Sequence, residues 1–398
     1  MKIRPFVVLE RLLIKQKSSQ IILITVLSIY LLLNISHTWF LGKTVYGDGV
    51  FYFSWLHSIV IDRDTHFTNE YDFFKVNQPL TKYSIPGNKY AVGPALFWLP
   101  NYLWIHRIMN GSGYELPYQV TMAITSTLYV FIALLLLYRI VRQFFDAHTS
   151  LLTVLSISLL TNILFYGSVD PVNSHPFSFF TVVLFLSFLF SKSTNIFFLG
   201  IAFGLIGIVR PQDMLVGILL VPILLGHRML PGIFFKFFLG ACLAVLPQLI
   251  AWNVLYGTWG SSPYLNGQEG FSLLSPHIVE VLVSSKIGII TYSPIILFSL
   301  YGFILPAWPM VLKQYKWYIA IILCLAVYSI SSWSSWNQGA SYGCRMFIGM
   351  LPLVAFPLAV CFTRLTTYLK NCIPLYYLLI GWGFLFTLVL IMLTLYRI

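Results

Sequence analysis

Acidic residues are concentrated near the N-terminal end of the chain. Five of the twelve Asp and Glu residues lie between Asp48 and Asp72. The first of them stands between two glycines in Tyr46-Gly47-Asp48-Gly49. Glycines allow tight turns and a close approach of the backbone to a ligand, and a free carboxylate can take a proton from a hydroxyl or an amine. This pattern predicts Asp48 as a general base, although it is also typical of an aspartate that caps a helix.

A second acidic motif, Asp62-Arg63-Asp64, follows in the same stretch. Carboxylate oxygens are the ligands that hard divalent cations prefer, so Asp62 and Asp64 are candidate metal ligands. A salt-bridged cap on a membrane-surface helix is the alternative interpretation. A divalent cation is the only cofactor that the sequence suggests, and we expect no organic cofactor.

The elements that must position these residues are membrane helices. The chain is 58% hydrophobic and 9% charged, with a mean hydropathy of +0.83, which is typical of an integral membrane protein. The net charge of +12 does not indicate a nucleic-acid partner, since Lys and Arg cluster at the ends of apolar runs. We therefore predict an all-α polytopic membrane protein that forms one domain over residues 1–398.

Apolar runs predict eleven transmembrane segments, at 21–40, 118–138, 150–167, 177–190, 195–209, 212–226, 232–252, 288–305, 317–331, 346–363 and 373–395. The distribution of Lys and Arg predicts a cytoplasmic N-terminus. The regions 41–117, 168–176, 253–287 and 332–345 are then expected on the same, non-cytoplasmic face. No internal repeat is evident in the sequence.

The apolar segment 91–109 is not counted among these spans. Two crossings already separate the N-terminus from the basic pair Arg139 and Arg142, and Pro94 and Pro100 are expected to break any long helix. We predict that 91–109 lies at the outer membrane surface, so that the first outer loop, 41–117, contains membrane-surface helices.

The predicted outer loop 168–176 contains Asp170 and His175. Both would lie just above the bilayer and face the Asp48 loop if the helix bundle closes. His175 could bind a phosphate, orient a carboxylate or ligate a metal. An interfacial turn with a hydrogen-bonded histidine is an equally good interpretation.

Three cations, Arg210, Lys286 and Arg345, are predicted on the outer side, against the positive-inside trend. The anion that pairs with Arg210 could be Asp213 or a lipid phosphate. Lys286 follows two serines and could grip a phosphate, or it could extend its charge to the membrane surface. Taken together, the three cations predict an anionic ligand, and a lipid-linked phosphate fits best.

With these motifs in order, the sequence resembles the GT-C fold glycosyltransferases, in particular the bacterial relatives of protein O-mannosyltransferases and of the lipid A aminoarabinose transferase. The resemblance covers most of the chain. It rests on the fragments GDGVFYF, DRD, NEYDFF, NKYAVGPALFWLP, the Asp170/His175 loop, IVRPQ, SSKIGIITYSP and SYGCRMFIGMLP.

The resemblance implies a GT-C-like bundle that transfers a hexosyl or pentosyl group with inversion from a polyprenyl-phosphate-linked donor. The acceptor would be a glycan, a lipid or a protein at the outer face of a bacterial inner membrane. Asp48 would be the catalytic base, while Lys286, Arg345 and more weakly Arg210 would bind the leaving lipid phosphate.

The chain departs from the family pattern because Asp48 is followed by Gly49 where an Asp-Glu pair is usual. A second carboxylate or a metal ligand would then come from Asp62, Asp64 or Asp170. The alternative function is a transporter or flippase of lipid-linked sugar. Such a protein would place its charges at the bilayer midplane, between inverted repeats.

Overall fold

The structure, a computed structural model, describes residues 5–226, 231–260, 269–368 and 373–397. Within these ranges the chain is helical and has no β-strand, which confirms the all-α polytopic fold class. Five apolar helices are long enough to cross a membrane: α1 (Pro5–Leu41), α5 (Leu116–Arg142), α10 (Pro231–Tyr256), α16 (Leu351–Tyr368, extended by a 3₁₀ turn Arg345–Met350) and α17 (Ile373–Arg397).

Five shorter apolar helices complete the bundle. They are α6 (Ala147–Leu159), α7 (His175–Leu189), α8 (Ile196–Val209), the 3₁₀ helix Pro211–Leu220 that continues into α9 (Val221–Gly226), and α15 (Lys316–Ser332). Four of them coincide with a predicted span, whereas α6 covers only the first part of the predicted span 150–167, because the helix ends at Leu159 and a π-helical turn, Phe165–Val169, follows after a break. Two of them begin with capping side chains, since Asp146 and Asn195 accept hydrogen bonds from the first amides of α6 and α8.

The predicted span 288–305 is not one helix. It forms two short helices, α12 (Ile289–Tyr292) and α13 (Ile296–Ile304), separated by residues 293–295. Pro294 lies in this break, lacks an amide hydrogen, and restricts the residue before it to extended conformations. The helices α11 (Ile278–Val283) and α14 (Met310–Lys313) flank this region.

Burial separates central from peripheral helices. In the span that contains α16, 89% of the residues are buried, against 11% for α10 and 22% for α17. The outward faces of α10 and α17 are apolar, as expected for helices that contact lipid tails. The chain is therefore an integral membrane protein.

The first long loop, 41–117, contains three helices: α2 (Gly49–His57, continued by a π-helical turn Ser58–Asp62), α3 (Thr68–Phe74) and α4 (Gly93–Met109). The expectation that prolines break the 91–109 segment was wrong. Pro94 lies in the first turn of α4, where no amide donor is needed, and the helix continues through Pro100. These helices pack in a second hydrophobic cluster around Phe53, Trp55 and Trp98, which they share with residues of α5, α7, α8 and α10.

Four loop regions meet at one end of the bundle. In chain order they are the described parts of 41–117, 168–176, 253–287 and 332–345. Gly49 of the first loop contacts the backbone of Val172 in the second. Asp48 pairs with Arg345 in the fourth. The third region joins them, because Lys89 forms an ion pair with Glu269 and the segment near Ser272 hydrogen-bonds to the backbone of Ser332. Segments that are far apart in sequence thus build a common polar surface.

Candidate active site

Two glycines place Asp48 at the junction of the first and second loops. Gly47 has a φ of +53°, in the left-handed region that favours glycine. A Cβ atom on Gly49 would lie 2.3 Å from the Val172 carbonyl oxygen, so only glycine allows α2 to approach the 168–176 loop this closely. The Gly-Asp-Gly motif therefore brings the carboxylate to the polar end of the bundle.

Asp48 does not cap the helix that follows it. It occupies the N-cap position of α2, but its side chain makes no capping hydrogen bond. Instead, Oδ2 lies 2.9 Å from a guanidinium nitrogen of Arg345, and Oδ1 accepts a hydrogen bond of 3.0 Å from the Tyr90 hydroxyl. The side chains of Asp48 and Arg345 are 30% and 22% exposed, so a ligand can reach both.

Tyr90 is held in place by the segment that precedes it. The Asn88 side chain donates a hydrogen bond to the Phe51 carbonyl and accepts one from the Tyr90 amide. The Tyr90 ring stacks on Phe51, with centroids 4.6 Å apart. Tyr90 was not predicted as a site residue; its only signal in the sequence is its place in the NKYAVGP fragment.

Asp170 lies close enough to Asp48 and Arg345 to interact electrostatically with both. The guanidinium of Arg345 therefore interacts with two carboxyl groups, those of Asp48 and Asp170. Burial and the Asp48 charge raise the pKa of Asp170 to about 7, although Arg345 and hydrogen bonds from Asn173 and Tyr46 lower it. Burial and the nearby Asp170 carboxylate raise the pKa of Tyr46 as well. The site thus combines an aspartate paired with an arginine and a second carboxyl group that titrates near neutral pH.

A second, more deeply buried cluster adjoins the first. Arg210 donates a hydrogen bond of 2.7 Å to His175 Nδ1, which must therefore carry a lone pair. The Asp213 carboxylate is 3.9 Å from Arg210 Nε and accepts a hydrogen bond of 2.5 Å from Ser178. Asp213 is thus one partner of Arg210, as one of the two sequence interpretations proposed, although the contact is loose.

Two tyrosines connect the clusters. The Tyr166 ring lies 4.7 Å from the His175 ring, and its hydroxyl accepts a hydrogen bond from the Tyr342 amide, three residues before Arg345. Tyr52 of α2 hydrogen-bonds to Ser174 and lies within electrostatic reach of both arginines. Arg210, His175 and Asp170 are thus parts of one polar network with Asp48.

Other candidates from the sequence lie outside this network. Lys286 is exposed in the turn between α11 and α12, and among the described residues it has no ion pair with Asp48 or Asp170. Asp62 lies at the opposite end of α2, beside His57 and Glu70. Asp64 accepts a hydrogen bond from the His66 amide and is not part of that group.

Comparisons with known proteins bear on the fold. No protein-family model and no curated protein matches the sequence. The apo crystal structure of ArnT from Cupriavidus metallidurans superposes with a TM-score of 0.55 and 10% sequence identity, over 90% of this chain and 62% of that one. The chain thus spans about three-fifths of the length of that protein.

Two structures from Archaeoglobus fulgidus are more weakly similar. The apo oligosaccharyltransferase has a TM-score of 0.48 and 11% identity, over 94% of this chain and 55% of that one. AglB in complex with an inhibitory peptide and a dolichol-phosphate has a TM-score of 0.47 and 12% identity, over 96% and 55%. These two similarities are too weak to support a conclusion. The similarity to ArnT shows that the chain has a GT-C-like membrane fold.

Proposed function

We propose that the protein is a glycosyltransferase that moves a sugar from a polyprenyl-phosphate donor to an acceptor at the non-cytoplasmic face, with inversion at the anomeric carbon. The observation that carries the proposal is the accessible Asp48–Arg345 pair at the end of a membrane-helix bundle. Such a transfer has two requirements: a base must remove a proton from the acceptor, and a cation must stabilise the leaving phosphate. A carboxylate beside a guanidinium can meet both.

Asp48 is the general base in this reaction. One of its carboxylate oxygens takes the proton from the acceptor hydroxyl or amine as the acceptor atom bonds to the anomeric carbon. The bond between that carbon and the phosphate oxygen breaks on the opposite face, and its electron pair stays on the phosphate. Arg345 stabilises the resulting negative charge, because a fixed cation that is already in place interacts favourably with a developing anion.

Donor binding would also activate the base. In the structure, Arg345 holds Oδ2 of Asp48, while Tyr90 holds Oδ1. A donor phosphate competes for the guanidinium and leaves Oδ2 free to accept a proton. Tyr90 keeps the carboxylate oriented during this exchange, so the base becomes available when the donor is bound.

An apolar cavity of about 350 Å³ supports a lipid-linked donor. It lies between α2 and α10 and is lined by residues that include Trp55, Val92, Leu246 and Ile250. The Trp55 indole donates a hydrogen bond to the Tyr90 carbonyl, so the wall of the cavity is connected to the residue that orients Asp48. In this proposal the cavity would hold part of the donor's hydrocarbon chain.

The proposal is tested by complementation of a strain that lacks the protein, with mass spectrometry of its surface glycans. Asp48→Asn keeps the side-chain shape and should lower the modified fraction by about 10²-fold or more, since general base catalysis contributes roughly 10²–10⁴. Arg345→Gln should have a similar effect. The matched control is Asp72→Asn, which alters an exposed carboxylate of α3 in the same loop.

Full modification in the Asp48→Asn strain would refute the assignment of the base. A flippase gives a different pattern, because it moves lipid-linked sugar across vesicles of purified protein without forming a glycosidic product. Equal translocation by wild type and Asp48→Asn, with no product from either, would replace the transferase proposal by that alternative.

A further inference from the structure

A separate polar cluster lies at the end of α2 that is remote from Asp48. His57 Nδ1 is 2.9 Å from Glu70 Oε1 and 3.1 Å from Asp62 Oδ2. The three potential ligand atoms lie within 4.8 Å of one another. His57 and Glu70 are 1% and 0% exposed, whereas the Asp62 side chain is 26% exposed. One imidazole nitrogen and two carboxylate oxygens therefore converge at a point that solvent can reach from the Asp62 side.

The orientation of the imidazole ring is set by its other nitrogen. His57 Nε2 is 2.9 Å from the Ser112 carbonyl oxygen. A carbonyl oxygen only accepts hydrogen bonds, so Nε2 carries the hydrogen and Nδ1 faces the two carboxylates. A lone pair on Nδ1 would face two negative oxygens, so either a proton or a metal cation must lie between Nδ1 and these oxygens. Histidines that bind metals are commonly held by the same hydrogen bond to a backbone carbonyl.

Glu70 provides an independent indication. Its Oε1 accepts a hydrogen bond of 2.5 Å from the Ser58 hydroxyl. Its Oε2 is buried and has no hydrogen-bond partner among the residues that the structure describes. A carboxylate oxygen buried without a partner is costly, because it has lost water and gained nothing in return. A cation bound through Oε2 as well as Oε1 would remove that cost.

We propose that His57, Asp62 and Glu70 bind a divalent transition-metal cation of the zinc class. Imidazole nitrogen with carboxylate oxygen is a ligand set that Zn²⁺ accepts, with a fourth position open to water. Asp62 also accepts a hydrogen bond from Asn69, which orients its Oδ2 toward the cluster. Asp64, the other acidic residue of the Asp-Arg-Asp motif, has no part in this site.

The cation has a structural role. It joins the last residue of α2 and its π-helical continuation to α3. Nine helical residues separate Asp48 from this point, which corresponds to roughly 13 Å along the axis, so the metal does not touch the reacting atoms. It would instead hold the helix that carries Asp48 at its N-terminal end. This inference does not depend on the reaction assigned to Asp48.

The test is direct metal binding by the full-length protein in detergent, with any affinity tag removed and metal stripped by a chelator. After equilibration with Zn²⁺ and desalting, elemental analysis should find one Zn²⁺ per chain. Zn²⁺ should also raise the thermal unfolding midpoint, because a ligand that binds only the folded state stabilises it. Mg²⁺ at the same concentration should have no such effect.

Substitutions locate the site. Asp62→Asn changes a partly exposed side chain and should fold, yet it should weaken Zn²⁺ binding at least tenfold, and Glu70→Gln should do the same. Asp64→Asn, two residues away and exposed, is the matched control and should bind as wild type does. Absence of Zn²⁺ from the wild type, or equal binding by wild type and Asp62→Asn, would overturn the proposal and indicate that a protonated His57 holds the two carboxylates together.

Discussion

Replacement of Asp170 by asparagine tests the electrostatics of the site most directly. The pKa of Asp170 is raised to about 7 by burial and by the Asp48 charge, against an ordinary value near 3.9. Below pH 4 the carboxyl group is protonated in both the folded and the unfolded state. As the pH rises from 4 to 7 the unfolded state loses its proton first, so folding becomes less favourable over that interval. The amide introduced by Asp170→Asn resembles the protonated carboxyl group and lacks this pH dependence.

The magnitude follows from the pKa difference. Three pKa units correspond to about 4 kcal/mol, because each unit contributes about 1.4 kcal/mol. Asp170 is partly exposed, and solvent screening reduces this value to about 2–4 kcal/mol. For a chain of this length, 1 kcal/mol shifts the thermal midpoint by roughly 1 °C. Asp170→Asn should therefore melt about 2–4 °C above wild type at pH 8.

The measurement is thermal unfolding of both proteins in detergent at several pH values between 4.5 and 8 (about half a unit apart). The advantage of Asp170→Asn should shrink steadily as the pH falls from 7 toward 4.5. Asp72→Asn, which alters a solvent-exposed carboxylate, is the control and should follow wild type. A constant difference between Asp170→Asn and wild type across this range would show that the folded state does not hold Asp170 protonated, and the reasoning would fail.

Three further substitutions test the geometry around the base. Tyr90→Phe keeps the ring but removes the hydrogen bond to Asp48, which is worth about 1 kcal/mol. The kcat for transfer should therefore fall roughly five-fold with little change in KM, and an unchanged kcat would contradict the orienting role of Tyr90. Gly49→Ala should lower the free energy of unfolding by about 1–3 kcal/mol, because the new methyl group would clash with the Val172 carbonyl. An unchanged stability in chemical denaturation would show that α2 does not pack against Val172. Lys286→Gln should keep the transfer activity within about twofold of wild type, because the charge of a side chain in an exposed turn contributes little. A loss of activity as large as that in Asp48→Asn would show that Lys286 belongs to the active site.

Much of the fold follows from local sequence. Apolar runs of the length needed to cross a membrane predicted ten helical segments that the structure contains, because burial of a helix in lipid depends mainly on composition and length. The local rule misjudged three prolines. Pro94 and Pro100 lie within α4 without ending it, whereas Pro294 divides a segment that we expected to be continuous. The presence of a proline therefore does not by itself decide whether a helix ends there, since α4 continues through Pro100 in its interior.

The sequence by itself determined that this is a polytopic membrane protein and that Asp48, between two glycines, is a candidate base, since composition and backbone freedom are local properties. Tertiary structure alone decided which cation pairs with that base. Arg345, Lys286 and Arg210 are equivalent in sequence, yet Arg345 contacts Asp48, Arg210 contacts His175, and Lys286 is exposed. Electrostatic interactions depend on distances of a few ångströms, and only the packing of remote helices and loops sets those distances.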